Sequence, residues 1–108
     1  MRIQITTRHC EVPEDVRERA RAQVEALGKF DPRATSADVV FTEERVTRKV
    51  EVILTVDGAP PVVGHGEGSE FGAAVEQVVD RVGRMLRKGR ERDRDHQAPP
   101  LSERVPGV

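Results

Sequence analysis

Seven basic residues lie within a short segment near the end of the 108-residue chain. Residues 81–94 contain only two acids, Glu91 and Asp93, although the whole chain is nearly neutral, with 18 Lys or Arg and 19 Asp or Glu. Clustered guanidinium and ammonium groups bind phosphates or carboxylates. The segment therefore predicts a binding surface for an anionic partner, or alternatively a solvated helix end. The seven cations are Arg81, Arg84, Arg87, Lys88, Arg90, Arg92 and Arg94.

Catalytic and metal chemistry has little support in the sequence. Cys10 is the single cysteine, so no disulfide framework is expected, which fits a reducing, cytoplasmic compartment. A nucleophilic pair would need Cys10 beside His65 or His96, and no motif brings them together. A zinc site requires more His and Cys ligands at recognisable spacing. We therefore predict no enzymatic activity, no metal and no cofactor.

Two other modes of nucleic-acid or nucleotide binding are also disfavoured. The glycines at 64, 66 and 68 precede a predicted helix, but no Gly-Lys-Ser/Thr follows and the dinucleotide spacing is absent. We interpret this segment as a flexible strand end. Base stacking needs exposed aromatic rings, and the chain has no Trp or Tyr. The three phenylalanines, Phe30, Phe41 and Phe71, occupy predicted core positions. Recognition of a phosphate backbone is favoured instead.

The basic segment belongs to a predicted amphipathic helix, residues 69–94, for which Ser69 suits the N-cap. Its apolar stripe is formed by Phe71, Val75, Val78, Val82, Met85 and Leu86. A second stripe beside it is formed by Arg81, Arg84, Lys88 and Arg92. Because the apolar stripe must be docked, the second stripe should emerge along the rim of the helix. That rim faces either the first helix or an open edge of the sheet.

The remaining periodicities predict a two-layer α+β sandwich. The order is β-α-β-β-β-α, with strands at residues 2–7, 37–42, 48–57 and 62–67 and helices at 13–27 and 69–94. Each helix has one apolar face, so both should cover one face of a four-stranded mixed sheet. A right-handed crossover would make the first two strands parallel. If the helices lie side by side, cations around the first helix would extend the basic surface; these are Arg17, Arg21, Lys29 and Arg33.

The sequence also suggests where the domain ends. We predict one domain over residues 1–94, followed by a disordered tail or linker at 95–108, which contains three prolines and no periodic pattern. No apolar run reaches the roughly 18 residues of a membrane span, so no membrane partner is expected.

Several features together resemble the ribosome hibernation-promoting factor family, also described as ribosome-associated inhibitors and sigma-factor modulation proteins. They are the order of elements, the alternating VEVILTV at 50–56, the Gly-Glu-Gly at 66–68, and the helix AAVEQVVDRVGRMLRK at 73–88. The resemblance extends from residue 2 to about residue 94. It implies a fold similar to the double-stranded-RNA-binding fold and binding to rRNA of the small ribosomal subunit in the mRNA and tRNA channel.

On this resemblance the protein would inhibit translation and preserve idle ribosomes under stress or in stationary phase, without a small-molecule substrate. The family's rRNA-binding positions correspond to Arg81, Arg84, Arg87, Lys88 and Arg90, and more loosely to Lys29 and Arg33. Long members add a dimerisation domain, so dimerisation is expected only through such a C-terminal domain, which this chain does not contain. The alternative hypothesis is an adaptor whose cationic last helix docks an acidic protein.

Overall fold

The computed structural model describes the backbone of residues 1–97 and the side chains of residues 1–90. The element order is the predicted β-α-β-β-β-α. The elements are β1 (Arg2–Arg8), α1 (Glu14–Ala26), β2 (Ala34–Glu44), β3 (Thr47–Val56), β4 (Val62–Gly68) and α2 (Phe71–Gln97). A 3-10 turn, Leu27–Lys29, continues α1. No helix in the described part of the chain combines the length and apolarity that crossing a membrane requires.

The four strands form one mixed sheet in the order β1-β2-β3-β4. β1 and β2 are parallel, as expected for strands joined by a helical crossover, and the other pairs are antiparallel. β2 is longer than predicted at both ends, because the polar Ser36 and Glu43 continue its pairing with β3. Both residues resemble loop residues in sequence because they are only half-buried: Ser36 lies on the open face of the sheet, and Glu43 lies at the margin of the covered face beside the start of α2.

Both helices cover the same face of the sheet, which confirms the predicted architecture. The buried residues on that face of the sheet include Val39, Phe41, Val50, Val52 and Leu54. The helices contribute Ala20, Val24, Phe71, Val75, Val78, Val82 and Leu86. Phe41 and Phe71 meet edge to face, with ring centroids 5.4 Å apart, which is a preferred aromatic geometry.

α1 and α2 lie side by side and run in the same direction. Arg19, early in α1, is close to Gly72 at the start of α2, whereas Leu27, after α1, is close to Gly83. The beginnings of both helices therefore lie at one end of the molecule. This parallel arrangement decides which charges of the two helices come together.

α2 packs directly on the backbone of β4. A Cβ atom added to Gly66 would lie 2.3 Å from the carbonyl oxygen of Ala74, and one on Gly64 would lie 2.5 Å from a methyl of Val82. The glycines at these positions therefore allow the helix to approach the strand. The predicted strand is confirmed, but its glycines do not make a flexible end: the segment is paired with β3 along its length and has a packing role.

The boundaries of α2 differ slightly from the predicted ones. The helix begins at Phe71, and the carbonyl of Glu70 accepts the N–H of Ala74 at 3.2 Å, so Glu70 rather than Ser69 stands directly before it. The helix continues through Gln97, three residues past the predicted domain boundary at 94. The rest of the predicted tail, residues 98–108, lies outside the described residues.

Candidate nucleic-acid interface

The cations of α2 lie on two different sides of the helix. Arg81 reaches over β4, where its guanidinium donates to the carbonyl oxygen of His65 at 2.7 Å. Lys88 follows Arg81 by two helical turns and so projects on the same side, with Arg84 beside them. Arg87 instead lies toward α1, with its guanidinium carbon 5.1 Å from the ring centroid of Phe30. We call Arg81, Arg84 and Lys88 the β4 rim.

On the other side of α2, Arg87 and Arg90 come close to Lys29 and Arg33, the two cations that corresponded only loosely to the family's rRNA-binding positions. Arg90 approaches the carboxylate of Asp31 at 3.5 Å, and the same carboxylate binds Arg33. Lys29 lies with its ammonium 5.8 Å from the Phe30 ring centroid. Four cations therefore gather around two consecutive residues, Phe30 and Asp31. We call this group the basic end; it consists of Lys29, Arg33, Arg87 and Arg90.

Asp31 is the buried charge at the centre of the basic end, with only 2% of its surface exposed. Its two carboxylate oxygens accept from Nε and Nη2 of Arg33 at 3.1 and 3.0 Å, and one of them also accepts the backbone N–H of Arg33 at 3.0 Å. The hydrogen bonds from Arg33 outweigh the opposing effect of burial and lower the pKa of Asp31. The carboxylate therefore stays ionised near neutral pH.

Phe30 differs from its predicted position in the core. It is half-buried: one part of the ring packs against the core near Gly83, and cations lie over another part. Guanidinium and ammonium groups are attracted to the face of an aromatic ring. The ring can therefore hold Arg87 and Lys29 while leaving their outer N–H groups available to a ligand.

The β4 rim has weaker internal contacts. Arg84 pairs with Asp80 one turn earlier on the exposed face of the helix. Lys88 is exposed to solvent. Arg81 uses part of its hydrogen-bonding capacity on the His65 carbonyl, and the guanidinium has five N–H donors in all. Surface pairs of this kind contribute little to stability, so Arg81 and Arg84 can exchange their present partners for a ligand's oxygens.

Several cations lie outside these surfaces, including two that were predicted to extend them. Arg21 donates to the carbonyl of Ile3 at 3.2 Å and so lies toward β1, on the far side of α1 from α2. Arg17 is exposed on α1. Lys49, at the other end of the sheet, pairs with Glu44 at 2.8 Å, which raises the pKa of Lys49 and lowers that of Glu44.

The opposite end of the helical layer is acidic. Glu11, Glu43 and Glu70 surround a depression beside the start of α2, and Arg48 is held there by Glu43 at 3.6 Å and by the Ser69 carbonyl at 2.9 Å. Because α1 and α2 are parallel, Glu14 and Asp15 in the first turn of α1 and Glu70 directly before α2 also lie at this end, where the helix dipole favours negative charge. The domain is thus electrostatically polarised along the helices, with its basic end opposite this acidic end.

Cys10 and His65, the potential catalytic residues, lie on opposite faces of the sheet. The Cys10 thiol packs on the core side and donates to the carbonyl of Phe41 at 3.5 Å. His65 lies on the open face of the sheet, 3.6 Å from the carboxylate of Glu51. Within the described residues, no three His, Cys, Asp or Glu side chains are close enough to hold a metal ion. His96 lies beyond the described side chains.

Sequence reasoning missed Phe30, Asp31 and Gln77. Gln77 accepts the backbone N–H of Glu67 at 2.8 Å, so together with Arg81 it covers polar groups on the outer edge of β4. The sequence contains one signal for Asp31: an aspartate can accept a hydrogen bond from the backbone N–H two residues later, which here belongs to Arg33. It contains no comparable signal that Arg90, 59 positions later, would approach the same carboxylate.

The fold and the surface define a small α+β domain with two parallel helices on one sheet face and a concentrated basic end. Residues 3–94 match the family model described as "Sigma 54 modulation protein / S30EA ribosomal protein". The chain belongs to this family, and the resemblance seen in the sequence is confirmed.

Two relatives have sequence similarity along most of the chain. The chain is 29% identical over 97 residues to a ribosome hibernation promoting factor of Azotobacter vinelandii, covering 90% of each protein. It is 28% identical over 96 residues to the factor of the same name from Escherichia coli K12, covering 89% of this chain and all of that protein.

Solved structures support the architecture independently. The chain superposes on a ribosomal subunit interface protein from Coxiella burnetii with a TM-score of 0.78 at 14% identity, covering 84% of this chain and 99% of that one. It superposes on the Protein Y N-terminal domain of Thermus thermophilus with a TM-score of 0.73 at 20% identity, covering 82% and 98%. At such low identity, these similarities establish the fold.

Proposed function

We propose that this protein is a cytoplasmic ribosome hibernation factor. It binds the small ribosomal subunit, contacts rRNA in the channel for mRNA and tRNA, inhibits translation and preserves idle ribosomes under stress. Membership of the family and the names of the two relatives support the association with ribosomes. The observation that carries the rRNA contact is the basic end, where four cations from separate segments gather on a domain with an acidic opposite end.

The chemistry of binding is phosphate recognition by fixed cations. Guanidinium groups bind phosphate oxygens through two parallel N–H donors, and each neutralised phosphate releases condensed counterions. Affinity should therefore fall by roughly 0.7–0.9 log units per contact for each tenfold rise in salt. The basic end and the β4 rim together supply seven candidate contacts: Lys29, Arg33, Arg81, Arg84, Arg87, Lys88 and Arg90. A folded domain held in the channel excludes mRNA and tRNA sterically, without any covalent step.

Charge reversal with a matched control tests the proposal. Lys88→Glu on the β4 rim and Arg8→Glu on the open face each change the charge by two units at an exposed position. We expect Lys88→Glu to weaken co-sedimentation with purified small subunits at least about tenfold and to reduce the salt dependence by roughly one contact. Arg8→Glu should change affinity less than about twofold. Equal effects of the two variants, or wild-type binding that ignores salt, would refute phosphate clamping.

The alternative is an adaptor that uses the same cations to dock an acidic protein. The basic end and the β4 rim could bind carboxylates of a protein as well as phosphates of rRNA, so the two functions use the same surface and differ only in the partner. Pull-down of cellular partners with and without ribonuclease separates them. Loss of the partners after ribonuclease treatment supports rRNA binding, whereas retention of one acidic protein supports the adaptor.

A further inference from the structure

Two consecutive residues, Phe30 and Asp31, organise the whole basic end. Lys29 ends the 3-10 turn after α1, Arg33 precedes β2, and Arg87 and Arg90 belong to α2. Each of the four lies against either the Phe30 ring or the Asp31 carboxylate. Like charges repel, so four cations from three segments would not collect here without these partners.

Asp31 holds its cations in fixed orientations. The Asp31 side chain is only 4% exposed, so its carboxylate must be compensated, and Arg33 compensates it with a two-pronged contact plus its own backbone N–H. Arg33 and Arg90 nevertheless keep 39% of their side-chain surface exposed, so both remain at the surface of the domain while they contact Asp31. A guanidinium has five N–H donors, so Arg90 retains donors beyond its contact with Asp31.

Phe30 acts on the other two cations through its ring. The Arg87 guanidinium and the Lys29 ammonium approach the centroid to 5.1 and 5.8 Å, within the range of cation–π attraction. The ring itself is anchored by the core near Gly83 and Leu27. Arg87 is therefore supported by a rigid surface while it remains exposed.

We propose that Phe30 and Asp31 are positioning residues that present Lys29, Arg33, Arg87 and Arg90 as one preformed site for neighbouring phosphates of a polyanion. This inference rests on the proposed function, since it identifies what organises the same binding surface. Its physical benefit is entropic: ordering a long side chain at an interface costs roughly two- to twelvefold in affinity. Side chains already held in place do not incur that loss.

The proposal predicts an effect opposite in sign to that of simple electrostatics. Asp31→Asn removes a negative charge from a cationic surface, so charge alone would strengthen polyanion binding. If Asp31 positions the cations, the same substitution weakens binding in spite of the charge gain. Asp80→Asn is the matched control, because Asp80 pairs with Arg84 on the exposed β4 side of α2 and organises no other cation among the described residues.

The binding experiment measures equilibrium affinity of the full chain for purified small ribosomal subunits at several salt concentrations. We expect Asp31→Asn to bind about five- to tenfold more weakly with a shallower salt dependence, and Asp80→Asn to bind up to about twofold more tightly. Phe30→Leu, which retains apolar packing without a ring face, should weaken binding about two- to fivefold. Asp31→Asn that binds as tightly as wild type or more tightly would overturn the proposal.

A second measurement does not depend on ribosomes. NMR order parameters and exchange of the Arg Nε–H groups report how firmly each guanidinium is held in the free protein. We expect Arg33 to be ordered in wild type and mobile in Asp31→Asn, and Arg87 to become mobile in Phe30→Leu, while backbone spectra show a folded domain. Arg33 equally mobile in wild type and variant would overturn the proposal. Failure of wild type to bind small subunits would instead refute the proposed function.

Discussion

Gly66→Ala should be the most informative single change to the core. The added Cβ would lie 2.3 Å from the Ala74 carbonyl oxygen, 2.9 Å from the Val78 nitrogen and 3.1 Å from the Val78 Cβ. The two nearest atoms are backbone atoms of α2, so no side-chain rotation can relieve the contact. Because comfortable contacts begin at about 3.5 Å, the helix must move about 1 Å away from β4.

The expected cost follows from that displacement. Overpacking a dense core lowers the free energy of unfolding by about 1–3 kcal/mol. Because the new Cβ on the β4 backbone meets backbone atoms of α2, which cannot rotate away, we expect Gly66→Ala to cost about 3 kcal/mol. For a domain of this size, the midpoint of thermal unfolding should fall by roughly 12–24 °C. The shift of α2 would also move Arg87 and Arg90 relative to Lys29 and Arg33, which lie outside the helix, so binding to small subunits should weaken even where the protein remains folded.

Gly68→Ala is the matched control two residues later on the same face of β4. A Cβ there would lie 3.6 Å from its nearest neighbour, an ordinary contact. We expect Gly68→Ala to change the free energy of unfolding by less than about 1 kcal/mol, since reduced freedom in the unfolded chain offsets minor strain. Urea unfolding followed by circular dichroism compares the two. Equal stabilities would show that α2 does not press on β4 as described.

Two further predictions concern Asp31 and the edge of β4. Because the folded-state pKa of Asp31 is lowered, its stabilisation is fully present above the unfolded pKa of about 3.9 and is lost as pH falls through the folded pKa. Urea unfolding from pH 7 to pH 3 should show this loss in wild type but not in Asp31→Asn; parallel profiles would contradict it. Replacing Gln77 and Arg81 together by Ala uncovers polar groups of Glu67 and His65, so light scattering should show increased self-association, unlike Glu76→Ala.

The regular elements could be predicted because their patterns are local. β3 alternates residue by residue between core and open face, and the spacing of Phe71, Val75, Val78 and Val82 specifies one face of a helix. These patterns specify the direction of each apolar face, and the two-layer arrangement is the economical way to bury them all. The ends of β2 were missed because Ser36 and Glu43 face partly toward solvent, where strand and loop residues have similar composition.

The organisation of the binding surface could be predicted only in part. The basic run correctly marked α2 as the cationic element, and the rRNA contacts assigned to its residues stay predictions. The helical wheel placed Arg81 and Lys88 on a rim but left open which neighbour that rim faces. Contact with the His65 carbonyl answers this for Arg81, which lies at the β4 edge, while Arg87 lies toward α1.

The sequence by itself determined the number and type of elements, the apolar face of each, and the concentration of positive charge late in α2. Only the tertiary structure decided that α1 and α2 run parallel, that Gly66 allows α2 to approach β4, and that Arg33 and Arg90 meet at Asp31. The physical reason is range. Periodicity and capping depend on residues a few positions apart, whereas a buried carboxylate and its distant cations are brought together only when the sheet and helices pack.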